Sequence, residues 1–145
     1  MRAYLVLIFL LALLLPPRSG VAANSGLTTE ARQLTQQGWR YLEIGETDVA
    51  LKRFRQANIL EPDYAPAYLG VGMIYRREDR LGLAIRYLEK TLELDPDNSA
   101  AHLELSRCYC AEKDAKLARN HLEQAIRLGA QPGLDELDMI NENCP

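Results

Sequence analysis

One set of residues returns every 34 positions, and that period bounds what the chain can fold into. Gly38, Tyr41, Ala50, Phe54, Ala57, Leu60 and Pro62 come in that order. One period on, the same places hold Gly72, Tyr75, Ala84, Leu88, Thr91, Leu94 and Pro96; another period on, Ser106, Tyr109, Ala118, Leu122, Ala125, Leu128 and Ala130. Three tyrosines and three alanines keep strict register. A fixed period of this length is the mark of stacked helical units, each too small to bury its own apolar face.

Within each period the apolar residues fall at helical spacing in two runs. In the first unit Leu34, Gly38 and Tyr41 share one face, and Ala50, Phe54 and Ala57 form the facing stripe. Gly45 ends the first helix and Thr47 is placed to cap the next. So short a turn makes the two helices antiparallel. Gly38 opposite Ala50 lets the axes approach closely. Pro62 breaks the second helix, because proline lacks an amide and disfavours helix before it. The second unit reads as helices over 64–77 and 81–94, with Asp63 as cap and Tyr68, Val71, Gly72, Tyr75, Ala84 and Leu88 inward. The third reads as 99–112 and 115–128, with His102, Leu105, Ser106, Tyr109, Ala118, Leu122 and Ala125 inward. Asp97 or Asn98 caps its first helix, and Asp114 its second.

Leu34, Gly38, Tyr41, Ala50, Phe54, Ala57 and Pro62 together resemble a tetratricopeptide repeat. The likeness covers about residues 31–130 in three copies. Three places depart from the family pattern: Gln37 stands for leucine, Thr91 for a small alanine, and Ala130 for proline. The resemblance implies an all-α fold, an α-solenoid of three helix-turn-helix repeats at 31–64, 65–98 and 99–132. It also implies a non-enzymatic scaffold or adaptor that binds a peptide or protein segment. The remainder, 133–145, reads as a C-terminal capping helix over 134–141 and a tail.

The stretch 1–23 reads as an address. Arg2 precedes an unbroken apolar run, 3–15, and Pro16-Pro17 ends it. Val21 and Ala23 are small and suit signal-peptidase cleavage after Ala23. The run is shorter than the roughly 20 residues of a membrane-spanning helix. The expected mature chain begins at Asn24 in an exported compartment, the periplasm for a Gram-negative source, with 24–30 as a loose lead-in and Thr28 or Thr29 capping the first helix. The net charge is −3, and becomes −5 once Arg2 and Arg18 leave with the signal. An acidic chain without a Lys/Arg run lacks the footprint of nucleic-acid or anionic-membrane binding.

Stacked pairs of helices curve, and their first helices line the hollow side. The stripe one residue beyond the core stripe falls there. It comprises Arg32, Thr35, Trp39, Leu42 and Glu43, then Pro66, Leu69, Met73, Arg76 and Arg77, then Ala100, Leu103, Arg107, Cys110 and Ala111. Trp and Arg are favoured binding hot spots, and Met adapts to varied surfaces. This combination suits a peptide with apolar anchors and a carboxylate that Arg76, Arg77 and Arg107 would pair. Members of the family that grip chaperone tails use lysines and asparagines here. Trp39 and Met73 stand where asparagines would be wanted, so that specificity is not implied.

No phosphate-binding glycine loop and no G-x-S-x-G nucleophile motif is present, and no cofactor is expected. Cys108, Cys110 and Cys144 belong to the expected mature chain. Cys108 and Cys110 point to nearly opposite sides of a helix. Cys144 lies one full period after Cys110, so a Cys110–Cys144 disulfide is expected, with Cys108–Cys144 as the alternative. A metal set from these cysteines and His102 is disfavoured by the splayed Cys-x-Cys spacing, His102 reads as a packing histidine, and His121 as a surface residue. Two other readings stand beside the adaptor: a structural subunit that self-associates through outer or end faces, and a metal- or redox-linked accessory protein using the three cysteines.

Overall fold

The helix-breaking signals sit where the period puts them, and the chain turns there. A computed structural model describes residues 20–133, 137–138 and 144. Among the described residues there are six long helices and no strand. They are α1 (Gly20–Glu43), α2 (Thr47–Leu60), α3 (Ala65–Arg77), α4 (Leu81–Leu94), α5 (Ser99–Ala111) and α6 (Ala115–Arg127). Each odd-numbered helix packs most extensively on the helix that follows it. The hairpins stack in order, and α3 also touches α1 and α5.

The turns inside the hairpins obey the period as strictly as the core. Gly45, Asp79 and Lys113 recur one period apart, and all three adopt left-handed backbone, with φ of 83°, 58° and 66°. After each of them an amide reaches back to the carbonyl of the repeated tyrosine: Glu46 to Tyr41, Arg80 to Tyr75 and Asp114 to Tyr109, each at 2.9 Å. This is the Schellman closure, which satisfies carbonyls that the helix end leaves without partners. Asp79 and Lys113 bear a steric cost there that Gly45 does not.

The caps divide. Asn98 accepts from the Ala101 amide and Asp114 from the Leu117 amide, both at 3.0 Å. Thr47 is the first residue of α2, and the cap position, Glu46, makes no side-chain cap bond. Asp63 also falls outside the cap position, which Tyr64 occupies without a side-chain bond. The helix α1 runs unbroken from Gly20, so residues 24–30 are helical rather than a loose lead-in, and Thr28 and Thr29 lie inside the helix. The proposed capping helix at 134–141 lies mostly outside the described residues; Leu137 and Asp138 within it are helical.

The main core joins all three hairpins. It holds Leu42, Ala50, Phe54, Val71, Ile74, Tyr75, Ala84, Leu88, Leu105 and Cys108. The repeated tyrosines take matching places in it: Tyr75 is buried, and Tyr41 and Tyr109 pack half-buried against it. Close approach at Gly38 has a different beneficiary from the one expected. A Cβ there would meet the Phe54 ring at 2.7 Å, not Ala50. Gly70 opens the same space from the next hairpin, where a Cβ would lie 2.5 Å from that ring. Gln37 is exposed, whereas Val71 and Leu105 at the same register are fully buried. Those two pack in the core shared between hairpins, and among the described residues no hairpin precedes the first. Thr91 is buried without strain because its hydroxyl donates to the Tyr87 carbonyl at 3.0 Å.

Candidate functional site

The predicted stripe separates into side chains that back the face and side chains that present on it. Thr35 and Leu42 are 3% and 7% exposed, so they support the face and are closed to a partner. Cys110 is buried as well. Trp39, Leu69, Met73, Leu103, Arg76 and Arg107 are half-buried, and Arg32 and Arg77 are exposed. Trp39 meets Phe54 edge-on, with ring centroids 4.9 Å apart and planes at 69°. The indole is thus held against a core ring, which orients it at little further entropic cost.

The arginines are not arranged as expected. Arg76 on α3 and Arg107 on α5 both bind the carboxylate of Glu104, one on each oxygen. The Glu104 side chain is 4% exposed, while the two guanidiniums keep 26% and 29% of their surface. An internal carboxylate therefore sits where a partner's was anticipated. The two guanidiniums share this one anion, and each keeps part of its surface open. Glu104 went unnoticed in the sequence. Its signals were a charge at the register of Gly70 and, one helical turn on, the arginine at 107.

The outer side carries a second group of ordered side chains. Tyr75 accepts a hydrogen bond from Arg55 and lies under Arg80, whose guanidinium carbon is 4.7 Å from the ring centre. Tyr87 packs on Tyr75 at 5.5 Å and on Tyr68 at 6.2 Å. One period on, His121 stacks on Tyr109 at 5.5 Å and packs on His102 at 5.2 Å, and the two histidine Nδ1 atoms are 3.0 Å apart. His121 is thus half-buried and paired, not a surface residue. Burial first, and then the neighbouring His102, hold its pKa below the usual histidine value. Three surface crevices, of about 500, 370 and 330 Å³, include residues such as Tyr68, Tyr87, Arg53 and Ile59. None of these three is lined by a residue of the predicted stripe.

The three cysteines are free thiols, and they differ in surroundings. Cys108 belongs to the main core, and burial pushes its pKa up to about 12. Cys110 faces the other way, into a cluster with Ala118 and Leu122 against which Leu137 and Cys144 pack. Burial, then a hydrogen bond with Cys144, raises its pKa to about 11. Both thiols stay protonated near neutrality, which makes them poor nucleophiles and poor metal ligands as they stand. Among the described residues, no three His, Cys, Asp or Glu side chains come together as a metal-ligand set. No helix among them is long and apolar enough to cross a membrane.

Two family profiles, each described as tetratricopeptide repeat, match residues 35–92 and 75–135. The chain belongs to the tetratricopeptide-repeat family. Solved structures of the same fold include the first TPR unit of Spaghetti (RPAP3) bound to the HSP90 peptide SRMEEVD. It matches at TM-score 0.72 and 15% identity, over 79% of this chain and 90% of that one. The second TPR unit of Spaghetti, bound to the same peptide, matches at TM-score 0.66 and 15% identity, over 70% and 94%. MamA matches at TM-score 0.63 and 25% identity, over 70% of this chain and 59% of MamA. No curated protein matches the chain. The tetratricopeptide period thus accounts for the hairpins, their turns and their order. The Glu104 group and the histidine pair occupy positions where this chain departs from its own repeat.

Proposed function

We propose that this tetratricopeptide array is an adaptor of the cell envelope that holds a protein segment against its inner face. The observation that carries the reading is one register position seen three times. Trp39, Met73 and Arg107 recur one period apart on α1, α3 and α5, and all three are half-buried with surface to spare. A large aromatic and a thioether offer apolar anchorage, and a guanidinium follows them. Arg77 is exposed beside them, and the guanidiniums of Arg76 and Arg107 keep about a quarter of their surface open. The matching partner is a segment with apolar anchors followed by an acidic residue. Two solved arrays of the same fold hold a peptide that contains a methionine followed by acidic residues, which supports the reading. The envelope location rests on residues 1–23, whose basic start, apolar run and small residues suit export.

Site-specific photo-crosslinking tests the face. A photoreactive residue at Met73 should trap a partner segment in cells. The same residue at Lys52, exposed on α2, should not. Trp39→Ala with Arg77→Ala should cut the Met73 adduct at least tenfold while helicity is kept. Equal adducts at Met73 and Lys52 would remove the inner face as the site. Export is tested separately by the mass of the chain in the envelope fraction. A mature chain beginning at Asn24 supports it, and an uncleaved chain in the cytoplasm overturns that part alone.

A further inference from the structure

The geometry points to a redox staple: we propose that Cys110 and Cys144 form a reversible disulfide that locks the C-terminal segment onto the third hairpin. Three observations carry it. First, the tail continues the repeat. Leu137 and Cys144 lie one full period after Leu103 and Cys110, and they pack on the cluster of Cys110, Ala118 and Leu122 that Leu103 also borders. These two residues thus meet the end of the array at the register that Leu103 and Cys110 hold one period earlier. Second, Cys144 packs against the cluster that holds Cys110, which places both cysteines on the same side of the third hairpin. Third, Cys108 is fully buried in the other cluster, with Leu105 and Leu88, whereas Leu137 and Cys144 pack on the cluster of Cys110. The structure thereby selects between the two pairings that spacing alone left open.

The chemistry is thiol–disulfide exchange with a small disulfide such as oxidised glutathione. Cys144 is half-exposed and Cys110 is 8% exposed, so Cys144 is the sulfur an external disulfide can reach. The Cys144 thiol loses its proton and attacks, its sulfur joins one glutathione, and the other glutathione leaves as a thiol. Cys110 then loses its proton and attacks the mixed disulfide at the Cys144 sulfur, and the second glutathione leaves as a thiol. Two protein thiols are oxidised and one disulfide is reduced to two thiols. The closed loop spans 110–144, long enough for cross-linking to restrict the unfolded chain substantially.

The test uses the full chain, reduced and then incubated with oxidised glutathione at pH 8. Free thiols are alkylated and the digest is mapped by mass spectrometry. The expected product is a monomer with a Cys110–Cys144 cross-link and alkylated Cys108, with Tm raised by about 5–10 °C. Cys110→Ser should stop at a glutathione adduct on Cys144, and Cys108→Ala should leave the cross-link unchanged. A Cys108–Cys144 cross-link would overturn the proposal. So would a Cys144-linked dimer, three alkylated thiols, or a glutathione adduct on Cys144 that persists with Cys110 present.

Discussion

The junction between the first and second hairpins and the junction between the second and third use the same register with different side chains at one shared position. At the first, Gly70 has no side chain, so the Phe54 ring fills the space between α1 and α3 with Trp39 packed T-shaped on it. At the second, the place of Gly70 is taken by Glu104 and the place of Phe54 by the smaller Leu88. The carboxylate is neutralised by one arginine from each hairpin. Both junctions share the apolar core, and the second adds charge pairing at a partly open edge. A repeat period therefore conserves geometry while the contacts added at each joint are free to change.

The widest gap between the junctions should appear when each loses its central side chain. Phe54→Ala removes a fully buried ring and should cost about 3–5 kcal/mol in urea unfolding. Gly70→Ala should cost about 1–3 kcal/mol through overlap with that ring. In the Phe54→Ala background the Gly70→Ala penalty should largely vanish, because the ring is what the new methyl strikes. A penalty that survives would mean that backbone, not the ring, limits the approach.

Glu104→Ala should cost about 2–3 kcal/mol. Removing one partner of a buried pair strands the others, but the two guanidiniums are already about a quarter exposed and can recover water. Glu104→Gln should cost nearly as much if charge closes this joint. A neutral outcome for Glu104→Gln would make the second junction a matter of shape like the first.

A smaller contrast lies on the outer side, where Tyr68 and Tyr87 of the second hairpin become His102 and His121 of the third. Burial and His102 lower the pKa of His121 in the fold. As pH falls below the unfolded value near 6.5, the unfolded chain binds its proton first. The stability from this group is thus full above that value and is lost as pH drops through the folded pKa. His121→Tyr, which restores the residue of the second hairpin, should flatten the change in urea midpoint between pH 7.5 and 5.5.

The smallest effect concerns the turns. Asp79 and Lys113 hold the left-handed place that Gly45 fills in the first hairpin. Lys113→Gly should stabilise by about 0.5–1 kcal/mol in thermal unfolding. Gly45→Ala should destabilise by a similar amount, making the turns interchangeable across hairpins.

Most of the fold was legible because it follows from short windows. Tyr41, Tyr75 and Tyr109, the turns at 45, 79 and 113, and the caps at Asn98 and Asp114 are local choices repeated in register. The stripe on the first helices was legible as a direction but not as a surface. Thr35 and Leu42 fall on it and are nonetheless buried, since the depth of the face depends on how far adjoining helices overlap it. The caps at Thr47 and Asp63 were missed because each lies one residue from the true boundary, and a side-chain cap does not survive such a shift.

By itself the amino-acid sequence determined that the chain would make like-sized helical hairpins, where each would turn, and the order in which they would stack. Hydrogen bonding and apolar spacing within one period are enough for that. Tertiary structure alone decided that Glu104 would claim Arg76 as well as Arg107, and that Phe54 would enter the space left by Gly70. Each of these joins residues of different hairpins. Their distance is set by how those parts rest on one another, which no window of one period contains.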